Sequence, residues 1–132
     1  MFDSLNISGS GMTTHQTWMD AISDNIANIN TVKSTNESAF QARYVVAVAQ
    51  EDGKVGSGVA VGGVELGSAQ GVLTYDPENP LADARGYVRR PDIDLGDQMS
   101  QMIMAQRGYQ ANISQMDRVR SAYQAAIQMG RG

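Results

Sequence analysis

The stretch DIDLGDQMSQMIMAQRGYQANISQMDRVRSAYQAAIQM, running from Asp92 to Met129, decides the fold. In steps of three and four it carries Leu95, Met99, Met102, Gln106, Tyr109, Ile113, Met116, Arg120, Tyr123 and Ile127. This is heptad spacing with no proline to interrupt it, and it predicts one long amphipathic helix. At about 1.5 Å per residue such a helix is roughly 50 Å long, more than a small domain can cover, so its stripe needs a partner helix. Asp92, Asp94 and Asp97 crowd its start while Arg118, Arg120 and Arg131 lie towards its end, the distribution that complements a helix dipole.

A second seam supplies the partner. Leu5, Met12, Met19 and Ile26 recur every seven residues, with Ile22 and Ile29 three residues after the last two. The same phase places Ser8 and His15 on the stripe, and Gly9 and Gly11 each cost up to about 1 kcal/mol in a helix interior, so its first half is the weaker. The cluster Asn28, Asn30 and Thr31 reads as the helix end, because asparagine competes for backbone hydrogen bonds. Asn25, three residues earlier, is read with that cluster.

Between the helices the period changes. Val32 to Phe40 is polar and patternless and reads as a connector. Ala42 to Ala49 and Val59 to Leu66 are rich in valine, with Asp52-Gly53 as a turn signal between them, which predicts an antiparallel β region. Val72, Leu73 and Tyr75 supply a further short strand before Asp76-Pro77 and Asn79-Pro80 break regular structure. The expected architecture is mainly α with a small β insert: two long terminal helices packed as an antiparallel coiled-coil pair, with a short antiparallel β region between them. The segments are 1–31, 32–91 and 92–132, and the antiparallel pairing brings Asp3 near Arg131.

Composition narrows the function classes. The chain of 132 residues has a net charge of −4 and a sequence pI near 4.7, so no basic footprint for nucleic acid is present. It contains no cysteine, which removes disulfides and thiolate metal sites. No Lys or Arg precedes Lys33 and no apolar run suits a secretory signal. The longest apolar run, Tyr44 to Ala49, falls far short of the roughly 20 residues that span a bilayer, so no direct membrane insertion is expected.

Two stretches resemble the bacterial flagellar axial family of rod and hook proteins. Ile22-Ser-Asp-Asn-Ile-Ala-Asn-Ile-Asn-Thr31, which holds Asn25, Ala27, Asn28, Asn30 and Thr31, is similar to the signature near the amino terminus across the whole group. The second combination resembles the proximal-rod members specifically. It runs from Tyr75-Asp-Pro77 through Pro80, Asp83, Gly86, Tyr87 and Pro91 into Ala105-Gln-Arg-Gly-Tyr-Gln-Ala-Asn112, with Gln106, Arg107, Tyr109, Gln110 and Asn112 in its last part. From Ser34 to Gln50 the chain departs from the family, lacking its glycine- and proline-containing turn and basic stretch.

The resemblance implies a structural subunit of the basal-body rod. It implies export through the flagellar type III apparatus without a cleaved signal, and assembly of the terminal helices with other rod proteins and copies of itself. The seam residues Leu5, Met12, Met19, Ile22, Ile26, Leu95, Met99, Met102, Tyr109, Ile113, Met116, Tyr123 and Ile127 are then the subunit interface. Without the resemblance, a non-polymerising helical-hairpin adaptor explains the same heptads. Gln106, Arg120 and His15 are costly inside a dry two-helix core and suit a contact among several chains.

Sites of chemistry are not found. His15 is the only histidine and has no companions for metal or acid–base work. Asp76 to Asp83 has acidic oxygens but two prolines and no EF-hand loop glycine, so a rigid turn is the better reading. Gly53-Lys54 lacks the flanking residues of a phosphate loop, and Gly56-Ser-Gly58 lacks the third glycine of a dinucleotide fingerprint. No catalytic residue and no cofactor is expected, and the chain reads as a non-enzyme.

Overall fold

The computed structural model describes residues 2–51, 53 and 56–132. Helix α1 (Phe2–Ala27) is followed by β1 (Arg43–Ala49), β2 (Val59–Leu66), β3 (Val72–Tyr75), β4 (Tyr87–Arg90) and helix α2 (Leu95–Gly130). The protein is thus mainly helical with a β insert, and its two helices pack antiparallel. Of the Asp52-Gly53 turn signal, Asp52 lies outside the described residues, as does Lys54; Gly53 adopts a φ of +70°.

The helix ends follow from side-chain chemistry. Asn28 delivers both its backbone N–H, at 3.1 Å, and its side-chain amide, at 2.9 Å, to the Asp24 carbonyl, and α1 stops there. Helix α2 begins three residues later than Asp92, because Asp94 is its cap and accepts a 2.7 Å hydrogen bond from the Asp97 N–H.

The two helices meet in a register that three contacts define. The Asn25 amide donates to Gln98 Oε1 at 3.0 Å; the His15 ring lies against Gly108; the Asn112 side chain lies against Gly11. Stepping along α1 from 25 to 15 to 11 moves α2 from 98 to 108 to 112, residue for residue. Continued, this register sets Asp3 opposite Arg120 and not near Arg131, and leaves α2 from Tyr123 onward without a counterpart on α1. The expected proximity of Asp3 and Arg131 is therefore corrected.

The helix phase is also corrected by one column on each helix. Ser8, His15 and Ile22 face the partner as expected, but the second column of α1 is Gly11, Trp18 and Asn25, one residue before Met12, Met19 and Ile26. On α2, Met102, Tyr109 and Met116 are half-buried, while Gln98, Ala105 and Asn112 take the places expected of Met99, Gln106 and Ile113. Small residues let the two backbones approach; a Cβ on Gly11 would come within 2.8 Å of Asn112 Oδ1. The glycine that weakens α1 as an isolated helix is what lets it be paired.

Strands β1 and β2 form a hairpin whose register shifts at Val46/Ala47, leaving Gly62 as the extra residue of a bulge. The hairpin lies along α1 and is tied to it at both ends. Asn25 accepts from the Arg43 N–H at 2.8 Å and donates to the Arg43 carbonyl at 3.0 Å. Ser10 Oγ accepts from the Val59 N–H at 3.1 Å. The span from Ser10 to Asn25 and the length of β1 are each roughly 20 Å, so the two ties are compatible with straight elements. Strands β3 and β4 form a separate antiparallel ribbon, so the insert holds two ribbons where one was expected, and β4 is a strand the sequence pattern did not suggest. The connector contributes too: Lys33 bridges to Arg89 beside β4.

Little of this is greasy. Among the described residues, Ile22 and Val88 are the large apolar side chains that are fully buried, and the polar Asn25 and Gln98 rank with them. The reading of Asn25 as helix-end chemistry is overturned, since it is 1% exposed and joins α1, β1 and α2.

Asn25→Ala strands the Gln98 amide and the Arg43 backbone, and urea denaturation should show a loss of about 1–3 kcal/mol. Asn28→Ala, at the exposed helix end, should cost less than about 1 kcal/mol. Gly108→Ala gives the sharper check. Helix propensity alone favours alanine by about 1 kcal/mol, yet the new methyl would collide with the His15 ring, whose Nδ1 is engaged with the Gly11 carbonyl at 2.7 Å. The variant should melt below the parent, not above it.

Candidate assembly surface

With the seam between its helices closed by small and polar residues, the chain leaves its larger apolar side chains outside. On α2, Leu95, Met99, Ile103 and Ile113 are all exposed. At about 100° per residue they fall within about 80° of one another, on the flank beside the Gln98–Ala105–Asn112 face. Leu95, Met99 and Ile103 form an unbroken apolar row, and Ile113 follows it beyond the exposed Gln106 and Gln110; no element among the described residues covers them. Of the expected interface residues, Leu95, Met99 and Ile113 thus stand outside the contact between the chain's own helices. Leu5, Met12, Met19 and Ile26 are half-buried, and Ile22 is buried.

A second exposed region follows from the unequal helix lengths. Tyr123, Ile127 and Met129 are exposed on the part of α2 that extends past α1. Where α1 begins, a cleft of about 380 Å³ opens between the helices, lined by Phe2, Leu5, Met116, Asp117, Val119, Arg120 and Tyr123. Its floor is apolar and its rim carries one charge of each sign.

The motif residues divide by position. Ala27 and Asn30 are exposed at the end of α1, and the Thr31 hydroxyl donates to Asn28 Oδ1 at 3.2 Å. Gln106, Arg107 and Gln110 are exposed on α2, Tyr109 is half-buried, and Asn112 folds its amide back onto the Gly108 carbonyl at 2.9 Å. Pro80 is exposed on the loop between β3 and β4. The residues that sequence reasoning passed over are Gln98, Ala105, Gly108, Gly11 and Ser10. For Gln98 and Ala105 the signal was a spacing of seven, each one position before an expected seam residue, and Gly11 likewise stands one before Met12.

Asp83 organises the loop between β3 and β4. Its Oδ1 accepts from the Arg85 N–H at 2.9 Å and the Tyr87 N–H at 3.0 Å, and the Thr35 hydroxyl reaches Oδ2 at 3.4 Å. Gly86, with a φ of +82°, makes the turn that brings these amides round. The Tyr87 hydrogen bond above all holds the Asp83 carboxyl below the usual carboxylate range; partial desolvation opposes it, and the Arg85 amide, the Arg85 charge and the Thr35 hydroxyl add to the lowering. The rigid turn expected of Asp76 to Asp83 has this carboxylate as its clasp. No helix among the described residues is long and apolar enough to cross a membrane.

The chain is similar to known proteins at both ends and along most of its length. A family profile described as flagella basal body rod protein matches residues 5–33, and one described as flagellar basal body rod FlgEFG protein C-terminal matches residues 84–129. Flagellar basal-body rod protein FlgC of Escherichia coli O6:H1 is 33% identical over 126 residues, covering 95% of this chain and 94% of that protein. The protein of the same name from Aquifex aeolicus is 40% identical over 114 residues, 86% of this chain and 84% of its own. That of Bacillus subtilis is 29% identical over 147 residues, with 98% of each chain covered.

The Asp83 clasp sets a pH dependence. A carboxyl whose pKa is lower folded than unfolded stabilises the fold above its ordinary value, about 4, and that contribution is lost as pH falls through the folded value. Proteolysis at Arg85 should therefore accelerate below about pH 4 in the parent chain. Asp83→Ala should be cleaved as fast at pH 7, whereas Asp83→Asn, which keeps an acceptor oxygen for the two amides, should resist.

Proposed function

Since this chain belongs to the FlgC family of flagellar basal-body rod proteins, structural subunits of the rod, we propose that it builds the rod by burying the exposed flank of α2 and the outer residues of α1 against neighbouring subunits. The observation that supports this reading most directly is the row Leu95, Met99 and Ile103, with Ile113 beyond it, exposed on a helix whose own seam is already closed. Each such side chain contributes about 1.5–3 kcal/mol when taken fully out of water. Exposed ion pairs contribute about 0–1 kcal/mol, so the apolar row and not the charge pattern is the source of assembly energy.

In this reading residues 1–31 and 92–132 are the axial helices, and 32–91 an appended segment carried on the outside of α1. Leu5, Met12, Met19, Ile26, Tyr123 and Ile127, half-buried or exposed in the single chain, complete the contact with other rod proteins and with copies of the same chain. The half-buried Met102, Tyr109 and Met116 serve both the hairpin and its neighbours. Methionine suits this because its flexible thioether adapts to neighbours that are not identical. The work is mechanical: packed helices transmit torque along the shaft, and no catalytic step is assigned to any residue. Passage through the flagellar type III export apparatus without a cleaved signal belongs to the same proposal. It agrees with a core small enough to unfold readily, with two of its four largest buried side chains polar.

Two substitutions separate assembly from folding. Ile113→Asp, at a position 37% exposed on the flank, should leave the free chain folded, with a smaller fall in thermal midpoint than Met102→Asp, while abolishing incorporation into the rod and motility. Met102→Asp should lower both stability and assembly, because Met102 is half-buried beside the helix seam. Normal rods built from Ile113→Asp would defeat the proposal.

A further inference from the structure

The ribbon of β3 and β4 makes no close approach to either helix or to the other hairpin among the described residues, and its register gives it two unlike faces. Thr74 and Val88 pair on one face, where Val88 is wholly buried. Leu73, Tyr75 and Tyr87 share the other, at 54%, 64% and 38% exposure, with the two rings edge to face at 5.4 Å; Arg89, opposite Leu73 on this face, donates its guanidinium to the Gln70 and Thr35 carbonyls. Such a coherent apolar face on a short ribbon is costly to leave in water. Beside it opens a cleft of about 340 Å³ lined by Leu73, Asp83, Arg85 and Tyr87, roomy enough for a methionine side chain. Asp83 is committed to the Tyr87 and Arg85 amides and the Thr35 hydroxyl. The Arg85 guanidinium forms no ion pair among the described residues and is the charge available at the mouth.

A matching surface lies elsewhere on the same molecule. Leu95, Met99 and Ile103 follow one another at one-turn intervals on α2, at 46%, 56% and 50% exposure. Asp92 stands three residues before Leu95, in the non-helical segment ahead of the Asp94 cap, and likewise has no ion pair among the described residues. The two surfaces are largely apolar and oppositely charged at their borders: Arg85 and Arg89 on the ribbon, Asp92, Asp94 and Asp97 at the start of α2, none of them in an ion pair among the described residues. Among the described residues the ribbon makes no close approach to either helix of its own chain, so within one molecule the two surfaces stand apart.

We propose that the Leu73–Tyr75–Tyr87 face of one copy seats on the Leu95–Met99–Ile103 row of a second copy, with Arg85 facing Asp92. The contact is heterologous, joining two different patches, so it can continue from copy to copy as a symmetric dimer contact cannot. It rests on the reading of the chain as a rod subunit and specifies which part of the insert engages which part of the neighbouring axial helix.

The cysteine-free chain permits a direct test. Full-length Leu73→Cys and Ile103→Cys, each altered at an exposed position, are mixed under mild oxidation and read by mass spectrometry. From equal amounts of the two chains, the mixed disulfide should exceed the two homodimers combined, which it only equals under random pairing. Arg85→Asp in the Leu73→Cys chain should reduce its yield roughly two- to fivefold, the range of an exposed ion pair, and Asp92→Arg in the partner should restore it. A statistical mixture of the three disulfides, or capture of Leu73→Cys by a different rod protein alone, would overturn the proposal while leaving rod assembly intact. Failure of the rod reading itself looks different: no association of the parent chain with itself or any axial protein in sedimentation, and normal rods from Ile113→Asp.

Discussion

The structure depends on one buried primary amide. Asn25 sits in the last turn of α1, where its side chain is 1% exposed, and an unpaired amide there would cost several kcal/mol. It is satisfied by presenting its oxygen to the Arg43 N–H and its nitrogen to the Arg43 carbonyl and the Gln98 side chain. To the edge of β1 it behaves as a neighbouring strand would; to α2 it behaves as a register pin. A one-residue slip of either element leaves a buried polar group without a partner. The helix pairing and the hairpin docking are therefore specified by the same few atoms, and hydrophobic bulk has little part in the choice.

That division of labour explains why so much apolar surface stays outside. In an ordinary helical hairpin the largest side chains fill the seam and the flanks are polar. Here glycine, serine, alanine and asparagine share it with Ile22 and the half-buried Trp18, Met102 and Tyr109, while Leu95, Met99 and Ile103 stand exposed on the flank of α2. Polar groups fix the register of the single chain while larger apolar groups of α2 stay exposed.

Much of this was legible in the sequence, for identifiable reasons. The helices, both strands of the first hairpin and the position of β3 follow from the change of period between heptads and alternating valines. The end of α1 follows from the asparagines. What was not legible was the phase. A seam chosen for its bulkiest residues selects Met12, Met19, Met99 and Ile113, because burial is ordinarily what bulk is for; the chain instead buries Gly11, Asn25, Gln98 and Ala105. The error in phase carried into the register, since helices aligned by their ends put Asp3 beside Arg131, whereas helices aligned by Asn25–Gln98 and His15–Gly108 do not. Strand β4 was missed because Tyr87-Val-Arg-Arg90 is short and charged and is paired through β3 and the Lys33 bridge.

The unequal lengths of the two helices have a further consequence. Over most of its length the molecule is a double beam, two helices side by side at about 8–10 Å, and such a pair resists bending far more than either member. Past Tyr123 the beam becomes single for about 12 Å. Stiffness therefore falls abruptly at one end, and curvature imposed from outside concentrates there, sparing the joint at Asn25. In a shaft built as proposed, a neighbouring subunit lies against Tyr123 and Ile127 and takes the place of the second beam, so this end stiffens only when the next piece is added.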